Sequence, residues 1–243
     1  MTQGSVTPWH GEGAVRDRLN RPVRDLRISV IDRCNYRCPY CMPADVYGEG
    51  HKFLPRSAWL TPGEIKRVAG LFLQLGVTKF RLSGGEPLLR RDIAEIVAAL
   101  AELRGVEDLA LTTNGTLLAQ RAKALKAAGL QRVTVSLDSI DDATFRTMNG
   151  DRGDVATVLA AIDAARAEGF APIKVNAMVQ KGKNEERVLD LVEHFRGSGV
   201  ILRFIEYMDV GTLNGWRADE VVPSKLLRDR IDARWPLEPS TNR

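Results

Sequence analysis

Six times along the chain a short run alternates apolar with polar residues, and after each of five of them come a polar loop, a stretch with helical spacing and a glycine. The alternating runs fall at 26–31, 78–83, 109–113, 132–137, 173–179 and 200–205. Ile28 and Val30 alternate with Arg27 and Ser29, and Phe80 and Leu82 with Lys79, Arg81 and Ser83. Leu111 stands against Thr112 and Asn114, and Val133, Val135 and Leu137 against Thr134, Ser136 and Asp138. Ile173, Val175 and Ala177 alternate with Lys174, Asn176 and Met178. Side chains two apart on a strand share a face. Each run therefore predicts a strand with one apolar face and one polar, partly basic face. Helical spacing predicts helices over 61–75, 92–104, 117–128, 154–168 and 185–196, each stopped by glycine. Thr61-Pro62-Gly63-Glu64 is a capping box with proline at the first helical position. The longer connection 138–153 is expected to hold a short helix, and 224–231 forms a last amphipathic stretch.

Alternation of strand and helix with short connections implies parallel strands and right-handed crossovers. A doubly wound sheet would also alternate, but its central strands are apolar on both faces. The expected fold is α/β, an open, partial (β/α)6 TIM-like barrel with the polar face lining its interior. Six strands are fewer than the eight of a full barrel. An α/β sheet with one solvated face is the alternative. Residues 1–20 read as a mobile N-terminal segment, 21–216 as the partial barrel, and 217–243 as the start of a further C-terminal region.

Composition changes this picture little. With 243 residues, 44% hydrophobic and 27% charged, the chain is ordinary globular material. A net charge of +4, spread along the chain, does not argue for a nucleic-acid partner. No apolar stretch approaches a membrane span of about 18 residues. A cytoplasmic location is the expectation.

All three cysteines lie in Cys34-Asn35-Tyr36-Arg37-Cys38-Pro39-Tyr40-Cys41, directly after the first strand. Three thiolates on one loop can hold three irons of a [4Fe-4S] cluster and leave the fourth iron for a small molecule. A zinc site would need a fourth ligand, for which His51 is the candidate. A disulfide would leave one cysteine over. Strand ends are where barrel sites lie. The second strand ends in Ser83-Gly84-Gly85-Glu86-Pro87, where paired glycines let the backbone approach a ligand.

The cysteine spacing together with the Gly-Gly-Glu-Pro stretch resembles the radical S-adenosylmethionine superfamily. Further motifs sharpen the likeness: Arg24-Asp25-Leu26-Arg27-Ile28-Ser29-Val30, Gly84-Gly85-Glu86-Pro87-Leu88-Leu89-Arg90-Arg91-Asp92, Thr112-Thr113-Asn114-Gly115, Val135-Ser136-Leu137-Asp138 and Arg203-Phe204-Ile205-Glu206-Tyr207-Met208. In this order they are similar to the GTP 3′,8-cyclase family of molybdenum cofactor biosynthesis, over about 21–216. The resemblance implies that Cys34, Cys38 and Cys41 hold the cluster. It implies that Tyr40, Gly84, Gly85, Glu86, Ser136 and Met208 meet S-adenosylmethionine. It implies that Arg27, Lys79, Arg81, Thr112, Lys174 and Arg203 meet GTP. Inward cations on several strands suit a triphosphate, since such charges are expensive without an anion.

The implied reaction takes the hydrogen from C3′ of the GTP ribose and joins C3′ to C8 of guanine. The product is (8S)-3′,8-cyclo-7,8-dihydroguanosine 5′-triphosphate. A pathway partner then makes cyclic pyranopterin monophosphate, and an electron donor is required; a homodimer is left open. Other radical S-adenosylmethionine enzymes, peptide-modifying or activating, share the cysteine loop and the Gly-Gly-Glu-Pro stretch. A non-catalytic iron-sulfur module is the reading from another class. The family carries three more cysteines in a C-terminal region, where a second cluster binds guanine. These 243 residues hold none of them. The expectation is that the chain as written cleaves S-adenosylmethionine but cyclises GTP poorly.

Overall fold

The computed structural model describes residues 15–210 and 214–240. The N-terminal segment expected over 1–20 lies mostly outside them. Six strands, β1 (Asp25–Ser29), β2 (Lys79–Ser83), β3 (Asp108–Thr113), β4 (Arg132–Ser136), β5 (Lys174–Val179) and β6 (Ile201–Glu206), form one sheet in the order of the sequence. The helices between them are α1 (Pro62–Gln74), α2 (Ile93–Ala101), α3 (Leu118–Ala127), α4 (Asp142–Asn149), α5 (Val155–Ala167) and α6 (Val188–Phe195); α7 (Ser224–Asp232) follows β6. The strand pairs β1–β2, β2–β3 and β5–β6 are parallel.

Helix and strand starts follow local chemistry. Thr61 caps α1 by accepting from the Glu64 N–H, while the Glu64 carboxylate accepts from the Thr61 N–H at 2.7 Å. Asp141 caps α4 through the Thr144 N–H at 2.9 Å. Gly129, after α3, has φ +100°, and a Cβ there would come within 2.7 Å of the Ala101 Cβ. Two expectations need correction. β1 ends at Ser29 instead of 31, because the Ile31 carbonyl leaves the ladder to accept from the Gly85 N–H. The helix expected over 185–196 starts as a 3-10 turn, Glu185–Arg187, because the Glu185 carboxylate is bonded to the Gly182 and Lys183 N–H groups.

The chain divides into two compact units interleaved in sequence. The first takes the described residues up to Asn35, then Phe53–Thr134 and Ala161–Ala171. Its buried core residues include Phe80, Leu82, Leu109 and Leu111 of the sheet, Ile96 and Leu100 of α2, and Leu118 and Leu125 of α3. The second takes Tyr36–Lys52, Val135–Ala160 and the described residues from Pro172 onward. One of its clusters joins Val179, Val188, Val222, Leu227 and Ile231, so α7 is part of that core. Burying such side chains is the main stabilising contribution, roughly 1.5–3 kcal/mol for each large one. Among the described residues no helix is long and apolar enough to cross a membrane.

In the second unit, the buried Asn184 organises the turn after β5. Its amide donates to the Asp138 carbonyl at 2.8 Å and to the Met178 carbonyl at 2.7 Å, and its oxygen accepts from the Gln180 N–H at 2.9 Å. Asn184→Ala strands these backbone groups away from water. Its expected cost is roughly 2–4 kcal/mol, read as a lower urea midpoint with an unchanged slope; a loss well under ~1 kcal/mol would mean the turn holds without it.

Candidate active site

In the first unit, the loops leaving β1 and β2 are laced together by backbone. The Val30 N–H donates to the Ser83 carbonyl at 2.9 Å, the Gly85 N–H to Ile31 at 2.7 Å and the Glu86 N–H to Arg33 at 2.8 Å. Glycine is required at both crossing points. Gly84 has φ +146°, and a Cβ on it would overlap the Ile31 carbonyl oxygen. A Cβ on Gly85 would overlap the Arg33 carbonyl oxygen and lie 2.9 Å from the Cys34 nitrogen.

Glu86 is almost fully buried and accepts three bonds within this unit: from the Leu88 N–H at 2.9 Å, the Thr113 hydroxyl at 2.8 Å and the Asn114 N–H at 2.7 Å. Burial pushes its carboxyl up and these bonds pull it down, with burial the larger. The carboxylate expected to meet S-adenosylmethionine thus also ties the β2 loop to the end of β3. Asn114 continues the frame. Its side-chain amide donates to Asn35 Oδ1 at 2.8 Å and lies 3.8 Å from Cys34 Sγ, while its oxygen accepts from the Thr116 N–H and hydroxyl.

The basic residues sit where the alternation put them. Arg27 and Arg81 are register partners on β1 and β2, and therefore neighbours on one face. Lys79 begins the same face of β2, in register with Asp25 and Asp108. The Arg81 Nη1 donates to the Thr134 hydroxyl at 3.1 Å and the Thr112 hydroxyl at 3.4 Å. These hydroxyls orient the guanidinium. Arg27 and Lys79 are exposed; Arg81 and Thr112 are half-buried.

In the second unit, the Cys41 and Met42 N–H groups both donate to the Cys38 carbonyl, at 3.0 and 2.9 Å, in a turn that carries two thiols. Beside it the Tyr40 hydroxyl donates to Asp138 Oδ2 at 2.7 Å, and the Met178 N–H donates to Asp138 Oδ1 at 2.8 Å. Burial raises the Asp138 carboxyl to about 6 despite both bonds. Burial, with the Asp138 charge next, also raises the Tyr40 hydroxyl. The Asn214 amide donates to the carbonyls of Tyr40 and Met208, both at 3.1 Å. A cavity of about 270 Å³ is lined by Tyr40, Met148, Lys183, Tyr207, Asn214 and Glu220, among others. Ser136 is half-buried at the end of β4, and Met208 is exposed. Lys174 is half-buried on the polar face of β5, where Asn176 is in register with Arg203 of β6.

None of the three cysteines is in a disulfide. The ring of His51 lies against Tyr47, with centroids 4.7 Å apart. Among the described residues no three His, Cys, Asp or Glu side chains converge as a single ion would require; a cluster spreads its thiolates over separate iron atoms. The donor set, soft thiols on a short loop beside a glycine crossing without room for a Cβ, fits an iron-sulfur cluster with a ligand held against backbone.

The family model of the radical SAM superfamily matches residues 28–195. The chain belongs to the radical SAM superfamily. A [4Fe-4S] cluster and S-adenosylmethionine are the cofactors of radical SAM enzymes. Solved radical SAM structures share the fold at low sequence identity. Methylornithine synthase superposes with a TM-score of 0.68 at 15% identity, covering 88% of this chain and 63% of that one. SuiB of Streptococcus suis, solved bound to S-adenosylmethionine, gives 0.63 at 18% identity over 87% of this chain and 45% of that one. The expected fold class, the partial (β/α)6 TIM-like barrel of these enzymes, is thereby established. Curated relatives are far more similar in sequence. The GTP 3′,8-cyclase of Xanthomonas axonopodis pv. citri is 55% identical over 92% of this chain, and that of Acidothermus cellulolyticus 55% over 93%. The chain spans 66% and 62% of those two relatives, just under two thirds of their length.

The alternation and the motifs placed the residues named from the sequence on strands and strand-end loops. They did not point to Asn35, Asn114 and Thr116 as one frame, nor to Asp138 and Asn214 as the holders of Tyr40. An Asn directly after a motif cysteine and another after a strand-ending Thr-Thr pair were the available signals.

Two expectations follow from this geometry. Gly85→Ala should abolish iron retention after anaerobic reconstitution, while Gly63→Ala, with nothing within 4 Å of the added Cβ, should retain wild-type iron; full iron in both variants would show that the loop yields. For Asp138 the folded state favours the protonated acid. Its raised carboxyl contributes stability that is fully present below its ordinary value of 3.8 and is lost as pH rises through about 6. Unfolding free energy of the wild type should therefore fall relative to Asp138→Asn by about 3 kcal/mol across that window, and parallel pH curves would contradict it.

Proposed function

We propose that this chain carries the S-adenosylmethionine-binding part and much of the nucleotide site of a GTP 3′,8-cyclase, converting GTP to (8S)-3′,8-cyclo-7,8-dihydroguanosine 5′-triphosphate. The observation that carries the reading is the in-register pair Arg27–Arg81 on a face that also bears Lys79 and Thr112. The high identity to relatives bearing that name supports it. When bound, the cluster and S-adenosylmethionine supply a radical able to remove one hydrogen from the ribose.

This chain's own residues do the holding. Cys34, Cys38 and Cys41 would hold the cluster. Gly84 and Gly85 bring backbone close to S-adenosylmethionine, with Tyr40, Glu86, Ser136 and Met208 completing its site. Two guanidiniums side by side offer paired donor forks to phosphate oxygens. Arg27, Lys79, Arg81, Lys174 and Arg203 take the triphosphate, and Thr112 adds a hydroxyl. Placing one C–H bond of the ribose is the main contribution of these contacts, since a displacement of about 1 Å costs on the order of a hundredfold in rate. The setting is cytoplasmic. The reading calls for a one-electron donor and for a pathway partner that would make cyclic pyranopterin monophosphate from the product.

Calorimetry tests the substrate assignment. Arg81→Ala should weaken GTP binding by roughly 1.5–3 kcal/mol and leave S-adenosylmethionine binding within error. Equal losses for both ligands would assign Arg81 to the fold. In an anaerobic assay with dithionite, 5′-deoxyadenosine should form in the wild type and be absent from Cys38→Ala; release by both would overturn the cluster assignment.

A further inference from the structure

Asn114 is buried, 8% exposed, at the end of β3. Its backbone N–H, its side-chain oxygen and one of its amide hydrogens are engaged at ordinary hydrogen-bond length. The backbone N–H donates to Glu86 at 2.7 Å. The side-chain oxygen accepts from the Thr116 N–H at 3.1 Å and the Thr116 hydroxyl at 2.8 Å. One amide hydrogen goes to Asn35 Oδ1 at 2.8 Å, and Asn35 closes the ring by donating to the Thr116 hydroxyl at 2.9 Å. These partners fix which end of the amide is nitrogen. The second amide hydrogen is left to Cys34 Sγ, 3.8 Å away.

We propose that the Asn114 side-chain amide donates to the Cys34 thiolate and thereby raises the reduction potential of the cluster held there. The inference rests on Cys34 being a cluster ligand, as proposed above. A donor at a ligating sulfur stabilises the added negative charge of the reduced cluster, and such bonds are among the determinants of iron-sulfur potentials. The amide is held by a closed ring of neutral partners, so it is already oriented and needs no rearrangement when the electron arrives. Asn114 is a positioning and tuning residue; it is not assigned contact with the reacting atoms.

The test is a redox titration of the anaerobically reconstituted chain, followed by electron paramagnetic resonance. Loss of a hydrogen bond to a charged sulfur in Asn114→Leu should shift the reduction equilibrium about tenfold toward the oxidised cluster. For a one-electron couple that is about 59 mV more negative, with iron content unchanged. Thr116→Val loosens the ring but keeps the donor, and should move the equilibrium far less. A titration of Asn114→Leu superimposable on the wild type overturns the proposal, as does an equal shift in Thr116→Val. Should Asn114→Leu retain no iron, the wild type grown with asparagine labelled with 15N at the side-chain amide decides. Pulsed resonance of the reduced cluster should then show coupling to that nitrogen, and its absence overturns the proposal. A wild-type chain that binds no four-iron cluster would remove the cluster reading itself, and this inference with it.

Discussion

The site depends on how closely two loops can cross. Between the Gly84–Gly85 backbone and the run from Ile31 to Cys34 there is no space for even one methyl group. Backbone hydrogen bonds at 2.7 and 2.8 Å fill the contact instead. Chain direction, loop length and the burial of Glu86 must all accommodate that approach. A buried carboxylate with three short donors is a rigid strut, because any movement would leave it or its donors unsatisfied in a low-dielectric setting. The first cysteine therefore starts from a fixed point, whatever freedom the rest of its loop has.

The fold was legible because its signal is periodic. Phe80 and Leu82 are fully buried while Lys79 is exposed and Arg81 half-buried, as alternation requires. Element ends were less legible where a side chain or a loop carbonyl competes with the ladder. Ile31 and Glu185 are the two instances: the Ile31 carbonyl accepts from the Gly85 N–H, and the Glu185 carboxylate accepts from the Gly182 and Lys183 N–H groups. The residues assigned to ligands in the proposal were named from motif and order. The residues behind them were not, since Asn114 meets Asn35 across 79 positions and Tyr40 meets Asp138 across 98. Composition and spacing carry no trace of such pairings. Only the fold brings them together.

Tyr40 shows how the second unit handles a polar aromatic. Its hydroxyl and its carbonyl are both held, by Asp138 and by Asn214. A ring fixed at two ends offers a defined surface at little entropic cost on binding. Asn214 holds the Met208 carbonyl with the same amide, so two positions far apart in sequence are set by one side chain.

The sheet runs from β1 to β6 in chain order, so these two strands are its margins. Margins with unpaired backbone can recruit strands from other molecules. Here they carry Asp25 and Arg27 on one side and Arg203 and Glu206 on the other. The cations assigned to a triphosphate therefore also discourage stacking of one molecule on another. Swapping them for apolar residues would trade solubility along with recognition, so poor yield of such variants would carry information about the margin as well as about the ligand.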